Sequence, residues 1–212
     1  MPDPTPTLSL LETRVLGTLV EKQRTVPDTY PLSLNSLVAG CNQKTSRNPV
    51  LEVGEAEVLL ALENLKELGF VSEVSGSRVV RFAHSLEKVL GVPTQASALL
   101  TVLMLRGPQT AGELRLNCER LHKFADISAV EAFLEELSSR AEGALVVELP
   151  RLPGARENRW SHLLSGQPAI ESQVGSRAAL AAGPEIDELR SRVESLEAEV
   201  AALREMVERL RG

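Results

Sequence analysis

The sequence predicts a mainly α fold with small β-hairpins, of the α+β class: two tandem winged helix-turn-helix domains followed by a C-terminal coiled-coil helix. Three observations predict it. Twice along the chain, three segments of helical period are followed by two short strand-like runs, β-branched in the first passage. The two passages share residue spacings in their hairpins, and the chain ends in an unbroken heptad repeat.

In the first passage, Leu8 to Lys22 places Leu8, Leu11, Val15, Leu16, Leu19 and Val20 at helical spacing, with Ser9 as the N-cap and Glu12 positioned to close a capping box. Pro27, Asp28 and Pro31 interrupt the chain. Ser33 then caps a short helix through Leu34, Leu37 and Val38 to Cys41. Asn42 to Pro49 is a polar loop. A third helix, from Gly54 to Leu68, turns Val58, Leu62 and Leu65 inward and stops at Gly69. Phe70 to Val74 and Val79 to Phe82, joined by Ser75-Gly76-Ser77, read as a hairpin.

The same order recurs. Thr94 to Leu105 is an apolar helix, and Thr110-Ala111-Gly112-Glu113-Leu114 opens a second. Ser128 is expected to cap a third, carrying Val130, Phe133, Leu134 and Leu137. Leu145 to Leu149 and Arg159 to Leu163 form a second hairpin. Gly76, Arg78, Arg81 and Phe82 match Gly154, Arg156, Arg159 and Trp160 in internal spacing, and Leu62-Glu63-Asn64-Leu65 echoes Leu134-Glu135-Glu136-Leu137. The domains are thus residues 8–84 and 85–165. Residues 166–184, rich in Gly, Ser, Ala and Gln, read as a flexible linker.

Residues 185–211 read as a parallel coiled coil. Ile186, Val193, Val200 and Val207 alternate with Leu189, Leu196, Leu203 and Leu210 at spacings of three and four. β-branched first positions with leucine fourth positions suit a parallel two-stranded coil. The flanking pairs Glu185 to Arg190, Arg192 to Glu197 and Glu199 to Arg204 are all opposite in sign. The competing reading is a single amphipathic helix packed on its own domain, which ordinarily shows a wider stripe of period 3.6. The heptads therefore predict a homodimer.

Composition narrows the function classes. With four Phe, one Tyr and one Trp, the core is built from Leu, Val and Ala, which disfavours an aromatic-lined cofactor pocket. No apolar run reaches the ~20 residues of a membrane helix, and Met1 to Thr7 carries no basic or apolar signal region, so no membrane association and a cytoplasmic location are expected. Cys41 and Cys118 read as buried free thiols. The net charge is −6, concentrated towards the C-terminus, and no region has the basic excess of a typical nucleic-acid binder.

Several runs carry a family resemblance. Pro27-Asp28-Thr29-Tyr30-Pro31-Leu32-Ser33-Leu34-Asn35-Ser36-Leu37, Cys41-Asn42-Gln43-Lys44, Arg47-Asn48-Pro49-Val50 and Gly76-Ser77-Arg78-Val79 resemble the YceH-like family of uncharacterised bacterial proteins. So do Gly107-Pro108-Gln109-Thr110-Ala111-Gly112-Glu113-Leu114-Arg115, Arg120-Leu121-His122 and Phe124-Ala125-Asp126, which extends the resemblance over about residues 8 to 165. It implies a tandem winged-helix fold and brings no established activity or catalytic residues.

The polar inventory points away from catalysis. His84, His122 and His162 are dispersed and are expected on wing or helix surfaces. No Gly-rich phosphate loop and no metal-ligand spacing occurs, so neither cofactor nor metal is expected. Winged helices ordinarily present a basic or amide-bearing third helix to the major groove. Here the outward side of the first domain's third helix offers Ala56, Leu60, Glu63, Asn64 and Glu67, and that of the second offers Glu131, Glu135 and Ser139. Cations lie instead at Lys44 and Arg47 in the loop and at Arg78, Arg81, Arg156 and Arg159 on the wings, with Arg115, Arg120 and Lys123 as weaker candidates. Two functions follow. One is a dimeric DNA-associated or transcription-regulator-like protein contacting double-stranded DNA phosphates through loops and wings. The other is an adaptor whose winged-helix surfaces bind a protein partner, with Leu60 as an anchor and no direct DNA binding.

Overall fold

The computed structural model describes residues 7–74, 79–151 and 154–168. Arg78, the linker beyond residue 168 and the heptad positions from Ile186 to Leu210 lie outside the described residues.

The first helix, α1 (Leu10–Thr25), begins at the capping box its sequence encodes: Glu12 N–H donates to Ser9 Oγ at 3.2 Å, and Ser9 N–H donates to Glu12 Oε2 at 2.6 Å. A 3-10 turn over Pro27–Thr29 leads into β1 (Leu32–Ser33) and α2 (Leu34–Cys41), with Ser33 at the N-cap as expected. After the loop comes α3 (Glu55–Glu67), whose Val58, Leu62 and Leu65 are buried. Gly69, at φ +76°, ends it. The strands β2 (Val71–Val74) and β3 (Arg81–His84) follow, and β3 lies between β1 and β2 in an antiparallel sheet.

A short helix, α4 (Leu86–Leu90), which the sequence pattern did not announce, leads to α5 (Thr94–Arg106), α6 (Ala111–Asn117) and α7 (Ile127–Ser138). The N-cap of α7 is Asp126 rather than Ser128: the Asp126 carboxylate accepts Ala129 N–H at 2.8 Å, which leaves Ser128 inside the first turn. A second antiparallel pair, β4 (Val146–Leu149) and β5 (Arg159–His162), closes the described chain.

The two hairpins share one register. Glu73 faces Phe82 and Val74 faces Arg81 in the first; Glu148 faces Trp160 and Leu149 faces Arg159 in the second. Phe82 and Trp160 both turn into the interior, 4 % and 9 % exposed. The arginine-aromatic match in the sequence is therefore a structural equivalence.

The two passages are packed together. One cluster of buried side chains runs from Leu8 to Leu164, and α1 lies against α5 as well as α2 and α3. That arrangement buries every residue of α1 from Glu12 to Val20, where its stripe alone would bury one face. Gly17 permits the approach, since a Cβ there would sit 3.1 Å from Leu105 Cδ2. Leu8 N–H also donates to Leu164 O at 2.7 Å, tying the start of the first passage to the end of the second. No described helix is long and apolar enough to cross a membrane.

Candidate functional site

The loop between α2 and α3 was expected to present Lys44 and Arg47. Lys44 is exposed; Arg47 is not. Its side chain is fully enclosed, donating to Glu21 Oε2 at 2.6 Å and Oε1 at 3.1 Å and to Gly40 O at 3.1 and 3.2 Å. The loop folds back over the C-terminal end of α2, where a cation meets the outward-pointing carbonyls of the last turn. Burial alone would raise the Glu21 carboxyl. The Arg47 bonds and charge, with Lys22 beside them, hold it below its ordinary range instead. Arg47 is thus corrected from a surface contact to an internal clasp.

A second internal arginine escaped the sequence reading. Arg14 is fully buried in α1, where Nη1 donates to Cys41 O at 3.1 Å and Nη2 to Pro49 O at 2.6 Å. Burial, then the Arg47 charge, presses its pKa down. The only available signal was an arginine inside the stripe between Leu11 and Val15. Asn42 closes the loop by exchanging two 2.9 Å bonds with the Val53 backbone, while Ser46 Oγ accepts Arg106 Nη2 at 2.7 Å. The Cys41 to Val50 run that carries much of the resemblance therefore builds the fold.

Among the described hairpin arginines, Arg81 and Arg159 are also engaged, the latter at the surface. Arg81 is half-buried and donates to Pro31 O at 2.7 Å and Thr29 O at 3.3 Å, tying β3 to the turn after α1. Arg159 reaches Glu113 at 3.4 Å. Arg156 is exposed. Among the weaker candidates, Arg115 donates to Ala125 O at 3.2 Å, while Arg120 and Lys123 are exposed.

The helix faces are as the sequence placed them. Ala56, Leu60, Glu63, Asn64 and Glu67 are exposed on α3, Leu60 at 61 %, with Leu59 beside it at 40 %; Glu131 and Glu135 are exposed on α7 and Ser139 at its C-cap. Beside α7 opens a cleft of about 480 Å³, lined by Glu131, Glu135 and Ser138 of the helix, by Val146 and Glu148 of β4, and by Trp160.

The histidines depart from the surface placement expected of them. Strand alternation puts Phe82 and His84 on the same inward side, and the His84 side chain is 1 % exposed. Its Nδ1 accepts Leu86 N–H at 3.3 Å, so Nε2 carries the proton and donates to Gln23 Oε1 at 2.7 Å. Burial lowers its pKa, against the pull of Glu87. Burial likewise lowers His162 to about 4. His122 sits partly buried, its ring edge-on to Phe124 at 4.7 Å. Cys41 and Cys118 are buried free thiols as read, and burial pushes Cys118 up to about 12. Among the described residues, no group of three His, Cys, Asp or Glu is placed to hold a metal ion.

Fold and surface together define a small α+β protein made of a repeated three-helix and hairpin unit, with Arg14 and Arg47 enclosed and the outward faces of its third helices acidic and apolar. The family described as "Protein of unknown function, DUF480" matches residues 8–155. A UPF0502 protein of Dechloromonas aromatica is 73 % identical over 207 residues, covering 98 % of this chain and 97 % of that protein. UPF0502 proteins of Burkholderia thailandensis and Burkholderia vietnamiensis are 60 % and 58 % identical, over 95 % and 96 % of this chain and 86 % and 87 % of theirs. The chain belongs to this DUF480, or UPF0502, family of uncharacterised bacterial proteins, and the YceH-like resemblance agrees with that membership.

Proposed function

We propose that this protein is a non-enzymatic, cytoplasmic interaction adaptor. In this reading, two tandem winged helix-turn-helix units, 8–84 and 85–165, are joined through the linker 166–184 to a dimerising parallel coiled coil at 185–211. Support for the winged-helix assignment is the repeated element order and the shared hairpin register. Support for the dimer is the heptad pattern with its matched flanking charges.

One observation carries the choice of adaptor: three of the cations that phosphate binding would use are already engaged by the protein itself, while the third helices present carboxylates and leucine. Arg47 clasps Glu21, Arg81 holds the 27–31 turn and Arg159 meets Glu113. Each phosphate contact depends on an available cation, and Glu63, Glu67, Glu131 and Glu135 would repel the DNA backbone. The adjacent exposed Leu59 and Leu60 give the α3 face an apolar element that a protein partner covers.

The second reading, a dimeric DNA-associated regulator, draws on the exposed Lys44 and Arg156. A duplex titration at low and high salt separates the two. The adaptor reading expects no binding tighter than the non-specific range, whose tight end is roughly 10⁻⁶ M at physiological salt. A photo-cross-linking residue at Leu60 in growing cells should meanwhile trap one protein, and Glu63→Lys should abolish the product. Tight, salt-sensitive duplex binding that disappears on replacing Lys44, Arg156 and Arg159 by alanine would establish the DNA reading in its place.

A further inference from the structure

The two passages of the chain build the same pairing of third helix and hairpin, and join the two differently. Aligned on the Leu62-Glu63-Asn64-Leu65 and Leu134-Glu135-Glu136-Leu137 matches, Leu59 and Lys66 of α3 correspond to Glu131 and Ser138 of α7. By hairpin register, Glu73 opposite Phe82 corresponds to Glu148 opposite Trp160. In the first passage the Lys66 ammonium reaches from α3 to the Glu73 carboxylate and bridges helix to sheet. In the second, the lysine is replaced by Ser138. The cleft remains open at about 480 Å³, and no Lys or Arg is among its lining residues. Glu131, Glu135 and Glu148 surround it, over a floor of Ala144, Val146, Leu163 and the 9 % exposed Trp160. Asn158 Nδ2 donates to Glu148 Oε1 at 2.8 Å, a neutral contact that leaves the carboxylate charge uncompensated.

We infer that this cleft receives a lysine-bearing, partly apolar segment of a protein partner, whose ammonium takes on Glu148 the place that Lys66 occupies on Glu73. Charge complementarity sets the head group, since three carboxylates with no Lys or Arg among the described lining residues favour a cationic guest and oppose a phosphate. The apolar floor sets the rest, because a lysine stem and a neighbouring aliphatic side chain can cover Val146, Leu163 and the indole while the ammonium stays at the rim. This inference rests on the adaptor reading and locates one of its contact surfaces.

Trp160, the only tryptophan of the chain, reports on the cleft directly. The full-length protein is titrated, with tryptophan fluorescence as the readout, against a short tryptophan-free peptide containing two lysines and two leucines. Its norleucine-for-lysine counterpart and spermidine serve as controls. The expected result is a saturable change with the lysine peptide that weakens as salt rises, and binding at least tenfold weaker for each control. Ser138→Lys should restore the internal bridge of the first passage and weaken peptide binding at least tenfold without loss of thermal stability. Glu148→Gln should weaken it in the same direction. No saturable change up to millimolar peptide, equal affinity for the norleucine peptide, or undiminished binding by a folded Ser138→Lys protein would overturn the inference. A fluorescence change that depends on protein concentration alone would also overturn it, by assigning the cleft to a second copy. Should the peptide fail while cross-linking at Leu60 persists, this inference alone falls; should the duplex titration succeed instead, the adaptor reading falls with it.

Discussion

Removing the Arg47 guanidinium tests whether the loop arginine is a clasp or a contact. Arg47→Met keeps the aliphatic stem in place and deletes the two bonds to Glu21 and those to Gly40 O. Glu21 is then left with Lys22 at 3.2 Å as its ion-pair partner, at 14 % side-chain exposure. Breaking a buried pair by removing one member ordinarily costs ~3–5 kcal/mol. The remaining Lys22 contact and the residual solvent access place this case near the lower end, at about 3 kcal/mol. For a folded body of this size, that lowers Tm by about 6–12 °C. Urea denaturation with a double-mutant cycle makes the measurement: Glu21→Gln combined with Arg47→Met should recover part of the loss, because no unpaired carboxylate then remains buried. Duplex affinity should not change. A stability loss below ~0.5 kcal/mol accompanied by a salt-dependent fall in duplex affinity would refute the reasoning and return Arg47 to the surface.

The remaining predictions concern pH and assembly. His162 is held neutral by burial, with its pKa depressed from 6.5 to about 4, so the unfolded chain binds the proton more readily. The stabilisation is therefore complete above pH 6.5 and is lost as pH falls from there towards 4, by up to about 3 kcal/mol. His84 shifts in the same direction. His162→Gln should flatten the decline in stability between pH 6.5 and 4 relative to the parent protein in urea melts, and an unchanged slope would count against an enclosed neutral ring. On assembly, sedimentation of the full chain should give a dimer at micromolar concentration and a chain ending near Ser165 a monomer. A full-length monomer would defeat the coiled-coil reading, and a truncated dimer would move the interface elsewhere.

Element order was legible because local signals suffice for it. Ser9 with Glu12, Ser33, Thr110 with Glu113 and Gly69 act within a turn of their own position, and the helical and strand periods require nothing beyond their segments. The repeat was legible too, since Phe82 and Trp160 occupy equivalent registers whatever the halves do to each other. The outward character of α3 and α7 followed from the positions of their buried leucines.

What needed tertiary structure was the fate of individual charges. Whether an arginine is solvated or enclosed depends on which carbonyls and carboxylates reach it from distant parts of the chain: Glu21 and Gly40 for Arg47, Cys41 and Pro49 for Arg14, Thr29 and Pro31 for Arg81. No period or motif encodes those meetings. The second buried face of α1 likewise exists because α5 packs against Gly17, and the His84 ring finds its partner only where α1 brings Gln23 to it. By itself, then, the sequence determined most of the elements and caps, though not α4 or the Asp126 cap of α7, together with the repeated unit and the family. The tertiary fold decided which charges remain at the surface, because solvation is set by neighbours that are close in space and remote along the chain.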